Sequence, residues 1–231
     1  MNINNLSVIV PTKNEAHNIQ FLIKSIPPPV KLIVVDASED DTASRCRALR
    51  PHNTTVIASR AKIAEARNIG AQAAATDWIL FTDADVIFAP DYFTKLKKLG
   101  SVDAIYGPKL AFGDHANYYR RFVNWQYRFH RFGIPAVSGS NLLVKTQAFH
   151  CAGEFNPGLL VNEDTEFGYR LKKRHFKIEF NPNLIVYARD HRRLARGKVR
   201  KDLHSLARCA LIYLDIFPEL WMRRDWGYWS K

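Results

Sequence analysis

The chain has 231 residues, 34 Lys+Arg against 22 Asp+Glu, and a formal charge of +12 at pH 7. Hydrophobic residues make up 47% and charged residues 24%, which excludes a disordered chain and supplies a sizeable core. No apolar stretch reaches about 18 residues, so no membrane-spanning helix is expected, and a strand pattern over residues 6–10 stands where a secretory leader would lie.

Leu6–Val10 is the first predicted strand. A helix is predicted over Glu15–Ile26, with Ile19, Leu22, Ile23 and Ile26 on one face and Pro27-Pro28-Pro29 as its stop. Leu32–Val35 is the second strand, and Asp40-Asp41 are good openers for a short helix. Thr55–Ala58, an Ala-rich helix over Lys62–Ala75 and Trp78–Thr82 continue the alternation. Such alternation predicts an α/β domain with a mostly parallel sheet between helices, binding its ligand outside the carboxyl ends of the strands. Further on, Ala104–Tyr106 and Leu142–Val144 read as strands, and Glu163–Arg174 as a helix. Ile178–Phe180 and Leu184–Val186 are expected to pair about an Asn181-Pro182-Asn183 turn. Arg189–Lys201, with seven Arg/Lys against one Asp, reads as a basic loop before a last helix over about 199–217.

The charge is unevenly placed. Residues 1–100 carry twelve basic and ten acidic residues, residues 101–231 twenty-two and twelve. The excess calls for an anionic partner, and nucleic acid, nucleotide phosphate and anionic lipid all qualify. Cys46, Cys151 and Cys209 lie far apart, which argues against a disulfide framework or zinc ribbon and for a reducing, cytoplasmic setting. The first glycine is Gly70, so no glycine-rich phosphate loop follows the first strand, and neither a P-loop, a Gly-x-Ser-x-Gly elbow nor a His-Glu-x-x-His pair occurs.

Carboxylates take the place of those motifs. The second strand runs into Asp36, and the strand ending at Thr82 runs into Asp83-Ala84-Asp85. In an extended segment Asp83 and Asp85 would share a face. Two such acids repel unless a cation sits between them, and a hard divalent ion with a diphosphate is the simplest answer. Alternatively, these acids cap the loops that follow.

Val8-Ile9-Val10-Pro11-Thr12-Lys13-Asn14-Glu15, Val34-Val35-Asp36-Ala37-Ser38, Ala66-Arg67-Asn68-Ile69-Gly70, Asp83-Ala84-Asp85, Gly139-Ser140-Asn141 and Glu163-Asp164-Thr165-Glu166 together resemble the family-2 glycosyltransferases. The resemblance covers roughly residues 6–191. It implies a GT-A fold, Rossmann-like, whose central sheet is flanked by helices. It divides the chain into a transferase domain over 1–197 (nucleotide-binding half 1–100, acceptor-binding half 101–197) and a C-terminal helical extension over 198–231. The implied activity is that of an inverting hexosyltransferase fed by a nucleotide sugar, with UDP as the expected carrier and Mn or Mg as cofactor. Pro11, Thr12 and Glu15 would line the nucleotide pocket, Asp36 would read the base, and Arg67 would face the nucleotide. Asp83 and Ala84 would lie on the ribose side, Asp85 would bind the metal, and Asp164 would be the catalytic base. Asn141, Glu163 and Trp125 are expected to contact the acceptor. Two departures stand out: Ala37 replaces a common second Asp, and Ala152-Gly153-Glu154-Phe155-Asn156 only approximates the usual glycine pair.

His191 is a candidate third metal ligand, with neighbouring arginines as diphosphate clamps; a solvated basic loop is the alternative. Over residues 115–132, Tyr118, Phe122, Trp125, Phe129 and Phe132 recur at helical steps, with Arg120, Arg121, Arg128 and Arg131 on other sides. Either this stripe packs on the core or it meets a membrane or an apolar acceptor. Leu203, Leu206, Ala207, Ala210, Leu211, Leu214 and Phe217 form a second apolar face, followed by Trp221, Trp226 and Trp229 among arginines. A lipid-linked acceptor at an anionic membrane is therefore expected, and nucleic acid is not. A basic nucleic-acid-binding or membrane-surface protein on an inactive transferase fold is the alternative.

Overall fold

The computed structural model describes residues 1–190, 207–214 and 216. Strand β1 (Leu6–Thr12) lies between β2 (Lys31–Asp36) and β4 (Trp78–Phe81), and β3 (Thr54–Ala58) edges β2, all four parallel. Beyond β4 come β8 (Leu142–Lys145), antiparallel to both neighbours, then β6 (Ala104–Tyr106) and β9 (Ile178–Phe180), giving the order β3-β2-β1-β4-β8-β6-β9. A small second sheet joins β5 (Val86–Phe88), β10 (Val186–Ala188) and β7 (Lys109–Leu110).

The helices are α1 (Ile19–Ser25), α2 (Thr42–Leu49), α3 (Ile63–Gln72), α4 (Tyr92–Leu96), α5 (Ala116–Arg131), α6 (Thr146–Cys151) and α7 (Glu163–Lys173), and residues 207–213 are also helical. Buried side chains gather on both faces of the sheet, the requirement that makes β1 and β2 near-continuous apolar runs. On one face Phe81, Phe149, Phe155 and Phe167 pack tilted or edge-to-face with centroids 4.9–5.3 Å apart. Gly70 lets α3 lie against β1, because a Cβ there would come within 2.4 Å of Ile9 Cγ2. Beyond the triproline, buried Arg50 donates to the carbonyls of Ile26, Pro27, Pro28 and Val30, which closes the α1–β2 turn.

Several sequence expectations are corrected. Ile178–Phe180 and the strand after Asn181-Pro182-Asn183 do not pair: β9 joins β6 in the large sheet, while β10, two residues later than expected, joins β5 and β7. The turn therefore switches sheets. The first helix starts at Ile19, with turns before it. Asp83-Ala84-Asp85 is a turn between β4 and β5, not an extended run. Short β5, α4, β7 and α6 carry too few residues to show a period and went unpredicted. The helix expected over 199–217 is described only over 207–213, and His191, Trp221, Trp226 and Trp229 lie outside the described residues. Among the described residues no helix is long and apolar enough to cross a membrane.

Helix α5 bears on the aromatic stripe. Its only buried residue is Gln126, whose amide donates to Ala136 O at 2.8 Å. His130, on the same side, meets the Tyr106 hydroxyl at 3.2 Å and accepts from the Phe180 amide. The inward face thus sets Gln126 and His130 beside Val123, and most of the aromatic stripe faces outward: Phe122 is 40% exposed, Trp125 55% and Phe132 82%, while Tyr118 and Phe129 are half-buried.

Candidate active site

The parallel strands deliver their polar residues to one edge. Thr12 and Asp36 are paired at the ends of β1 and β2, and Asp83 follows the end of β4. Because β8 runs antiparallel, with Leu142 opposite Phe81, Gly139-Ser140-Asn141 enter at that same edge. The Thr82 hydroxyl donates to Ser140 O at 2.9 Å and joins the two segments.

On the β1–β2 side, Asp36 Oδ1 accepts from Thr12 Oγ1 at 2.6 Å and from Ser38 Oγ at 2.5 Å. Both bonds fall on one carboxylate oxygen of a buried side chain and fix its plane. Pro11 precedes Thr12 on the strand, half-buried. Glu15 Oε2 accepts from Asn18 Nδ2 at 2.7 Å, and its backbone amide donates to Thr42 Oγ1.

On the β4 side the centre is Arg67, 2% exposed on α3. It donates to Asp83 Oδ1 at 2.9 Å and to Glu163 Oε1 at 2.5 Å. Burial alone would lower the guanidinium pKa, but Glu163 and Asp83 outweigh it and hold the charge. One cation therefore ties the turn after β4 to the start of α7. Gly139 makes room for it, since a Cβ there would sit 2.6 Å from Arg67 Cζ. The Glu163 carboxyl is pushed up to about 7, first by burial and then by neighbouring Asp164, with Arg67 pulling the other way. Lys109 on β7 places its ammonium 3.5 Å from both Asp83 Oδ2 and Asp85 Oδ1. Ala84 is buried between the two acids. The Arg189 amide donates to Asp85 O at 2.8 Å, so the basic segment starts at the acid turn.

Asp164 lies in the first turn of α7, where its Oδ2 accepts from the Gly139 amide at 2.7 Å and its Oδ1 from the Thr165 amide at 2.7 Å. Helix and loop are strapped from behind by the stretch over 207–213. Arg208, fully buried, donates to Asn162 Oδ1 at 3.1 Å and Val161 O at 2.9 Å; Asn162 is left-handed (φ 64°) and opens α7. Tyr213 donates to Pro135 O at 2.7 Å, four residues before Gly139.

Of the expected site residues, Arg67, Asp83, Asp85, Glu163 and Asp164 are brought together, and Thr12 and Asp36 form a second group across β1. Asn141 is buried, and its amide is engaged with the Tyr92 hydroxyl, Leu184 O and Pro108 O. Trp125 is exposed on α5, stacked on Phe129 with centroids 5.7 Å apart. Lys109 and Arg208 were missed. Lys109 follows Gly107-Pro108 in a two-residue strand, and Arg208 sits in a stretch read only for its apolar face; neither position shows a period that marks it. Among the described residues no three His, Cys, Asp or Glu side chains converge as a metal cage. Asp83 and Asp85 are neighbouring hard oxygen donors at this edge, and Asp85 is suited to part of a divalent ion's shell.

Residues 7–152 match the family model for glycosyl transferase family 2. The chain belongs to that family. Its GT-A fold is shared with a mannosyltransferase from Pyrobaculum calidifontis in complex with GDP-Man and Mn2+: 22% identity, TM-score 0.67, covering 91% of this chain and 61% of that one. TarS of S. aureus is similar at 18% identity and TM-score 0.66, covering 91% of this chain and 39% of that one. Its 1–349 form in complex with UDP-GlcNAc gives 17% identity and TM-score 0.68, covering 93% and 72%. The family-2 chain thus spans less than two thirds of the first two proteins. No curated protein sequence matches it.

Proposed function

We propose that this family-2 chain transfers a hexose from a nucleotide sugar to an acceptor hydroxyl, with inversion, by one direct displacement. The observation that carries the reading is the junction at Arg67, which joins the acid turn after β4 to the helix that presents Asp164. Asp36 would read the base through Oδ2, the oxygen that takes no part in its bonds to Thr12 and Ser38. UDP and GDP sugars occur with the similar proteins, and UDP is the carrier proposed here.

Asp164 would accept the acceptor's proton as that oxygen bonds to the anomeric carbon and the nucleoside diphosphate departs with its bonding electrons. The Gly139 and Thr165 amides hold its carboxylate in place. Asp85 would hold a divalent metal, which when bound neutralises the charge of the leaving diphosphate, while Asp83, bonded to Arg67 and Lys109, would lie on the ribose side. Lys109 keeps the same two carboxylates together through its ammonium. The proposed acceptor is a lipid-linked or apolar molecule offered at an anionic membrane surface, a reading supported by the outward aromatic face of α5.

A panel of nucleotide sugars with Mn or Mg and lipid acceptors that carry a free hydroxyl, such as diacylglycerol, tests this. Asp164→Asn should lower turnover about 10³-fold or more, and Asp85→Ala should lower it with either metal. Activity that survives both substitutions would sink the mechanism. Tight, steeply salt-dependent oligonucleotide binding without turnover would favour the nucleic-acid alternative instead.

A further inference from the structure

Large apolar side chains scattered singly on a surface need no explanation, but a cluster does. Here Phe122, Trp125 and Phe132 are exposed along one side of α5, with half-buried Phe129 among them. At 3.6 residues per turn the side of α5 that meets the protein is Val123, Gln126 and His130. The stripe of Phe122, Trp125, Phe129 and Phe132 stands roughly a third of a turn away. Arg121 and Arg128 border it on its other side, and Arg120 and Arg131 lie beyond; all four are exposed. From residue 116 to residue 132 there is no Asp or Glu.

We propose that α5 is a membrane-docking helix, its aromatic stripe entering the headgroup boundary of an anionic phospholipid bilayer and its arginines pairing with lipid phosphates. The charge chooses the occupant. A second copy meeting this face across a two-fold axis would set arginines against arginines with no acid on either helix, whereas an anionic lipid surface complements them. Trp125 suits the boundary because its ring is amphipathic, and Arg128 stacks over it at 5.9 Å.

The proposal rests on the reading that the acceptor is offered at a membrane, and it says which surface turns toward that membrane. Docking would also bear on the candidate site. Gln126 holds Ala136 O, three residues before the Gly139 amide that holds Asp164. Docked α5 would therefore carry the acceptor side of the cleft to the lipid surface.

The test is flotation of the whole chain with phosphatidylcholine vesicles, with and without phosphatidylglycerol, at low and high salt. The unaltered chain should float with the phosphatidylglycerol vesicles at low salt. Trp125→Ser with Phe132→Ser should weaken that binding about tenfold or more. Arg121→Gln with Arg128→Gln should remove most of its dependence on phosphatidylglycerol and on salt. Flotation unchanged by both pairs, or absent for the unaltered chain, overturns the proposal. So does a concentration-dependent dimer that the same substitutions dissolve. Nucleotide-sugar turnover measured in parallel separates the two readings: flotation lost with the α5 variants but no turnover by the unaltered chain would leave docking standing and remove the transferase reading.

Discussion

Residues 1–100 and the region after them obey different rules, although both belong to one sheet. In the first region Leu49 is the one large apolar side chain left exposed, Asp36, Arg50 and Arg67 are buried, and the charges nearly balance. In the second, Gln126, Asn141 and Arg208 are buried, while Phe122, Trp125 and Phe132 face outward. Both regions bury polar side chains with hydrogen-bond partners, and they share their core clusters. They differ in the aromatic surface that the second leaves exposed.

Arg67 is where the two regions meet, so replacing it should break the comparison most severely. Arg67→Met leaves buried Glu163 without its cation and Asp83 still facing Lys109, and such losses cost about 3–5 kcal/mol. A urea unfolding midpoint should fall accordingly, and turnover with it. An unchanged midpoint would mean the two regions do not depend on that junction.

Glu163 gives the next largest effect, through pH. Its folded pKa, about 7, lies above the ordinary value of 4.5. The folded state therefore holds this proton more tightly, and the resulting stability is fully present below pH 4.5. It is lost as pH rises through about 7, a drop on the order of 3 kcal/mol. Glu163→Gln should flatten that descent in unfolding curves collected from pH 4.5 to 8. A slope that survives the substitution would place its source elsewhere.

The contrast between the regions also explains what could be read in the sequence. β1, β2 and β4 announce themselves because both faces are covered, and so do the acids at their ends, since charge after an apolar run is conspicuous. The stripe on α5 was equally visible, but hydrophobic periodicity reports only that one side differs from another. Which side faces in was decided by Gln126 and His130, whose partners Ala136 O, Tyr106 and Phe180 are not local. The same holds for Asn141, expected at the acceptor and found bonded to Tyr92 and Leu184. Lys109 acquires its meaning only when β7 is laid beside β10, a pairing across the chain that no spacing encodes.

Arg208 sharpens the comparison within the second region. Its guanidinium pKa is lowered to about 10, mainly by burial. Arg208→Met removes the donors to Asn162 Oδ1 and Val161 O, for a cost of about 1–3 kcal/mol seen as a lower thermal midpoint. Arg208→Lys should recover part of it. Because the strap acts on the turn that opens α7, kcat should fall in Arg208→Met while KM for the donor stays close to its original value.

The smallest effect is expected where the side chains are largest. Phe122→Ser with Phe132→Ser removes two aromatic rings from a helix that buries only Gln126. In the shared core such a change is severe: Phe149→Ala, within the ring cluster of Phe81, Phe155 and Phe167, should cost about 3–5 kcal/mol. On α5 both rings already face water, so their removal should move the unfolding midpoint by less than about 0.5 kcal/mol in free energy. A larger loss would show that the stripe has a partner within the chain. A neutral result leaves the apolar surface to be explained by something the helix meets outside it.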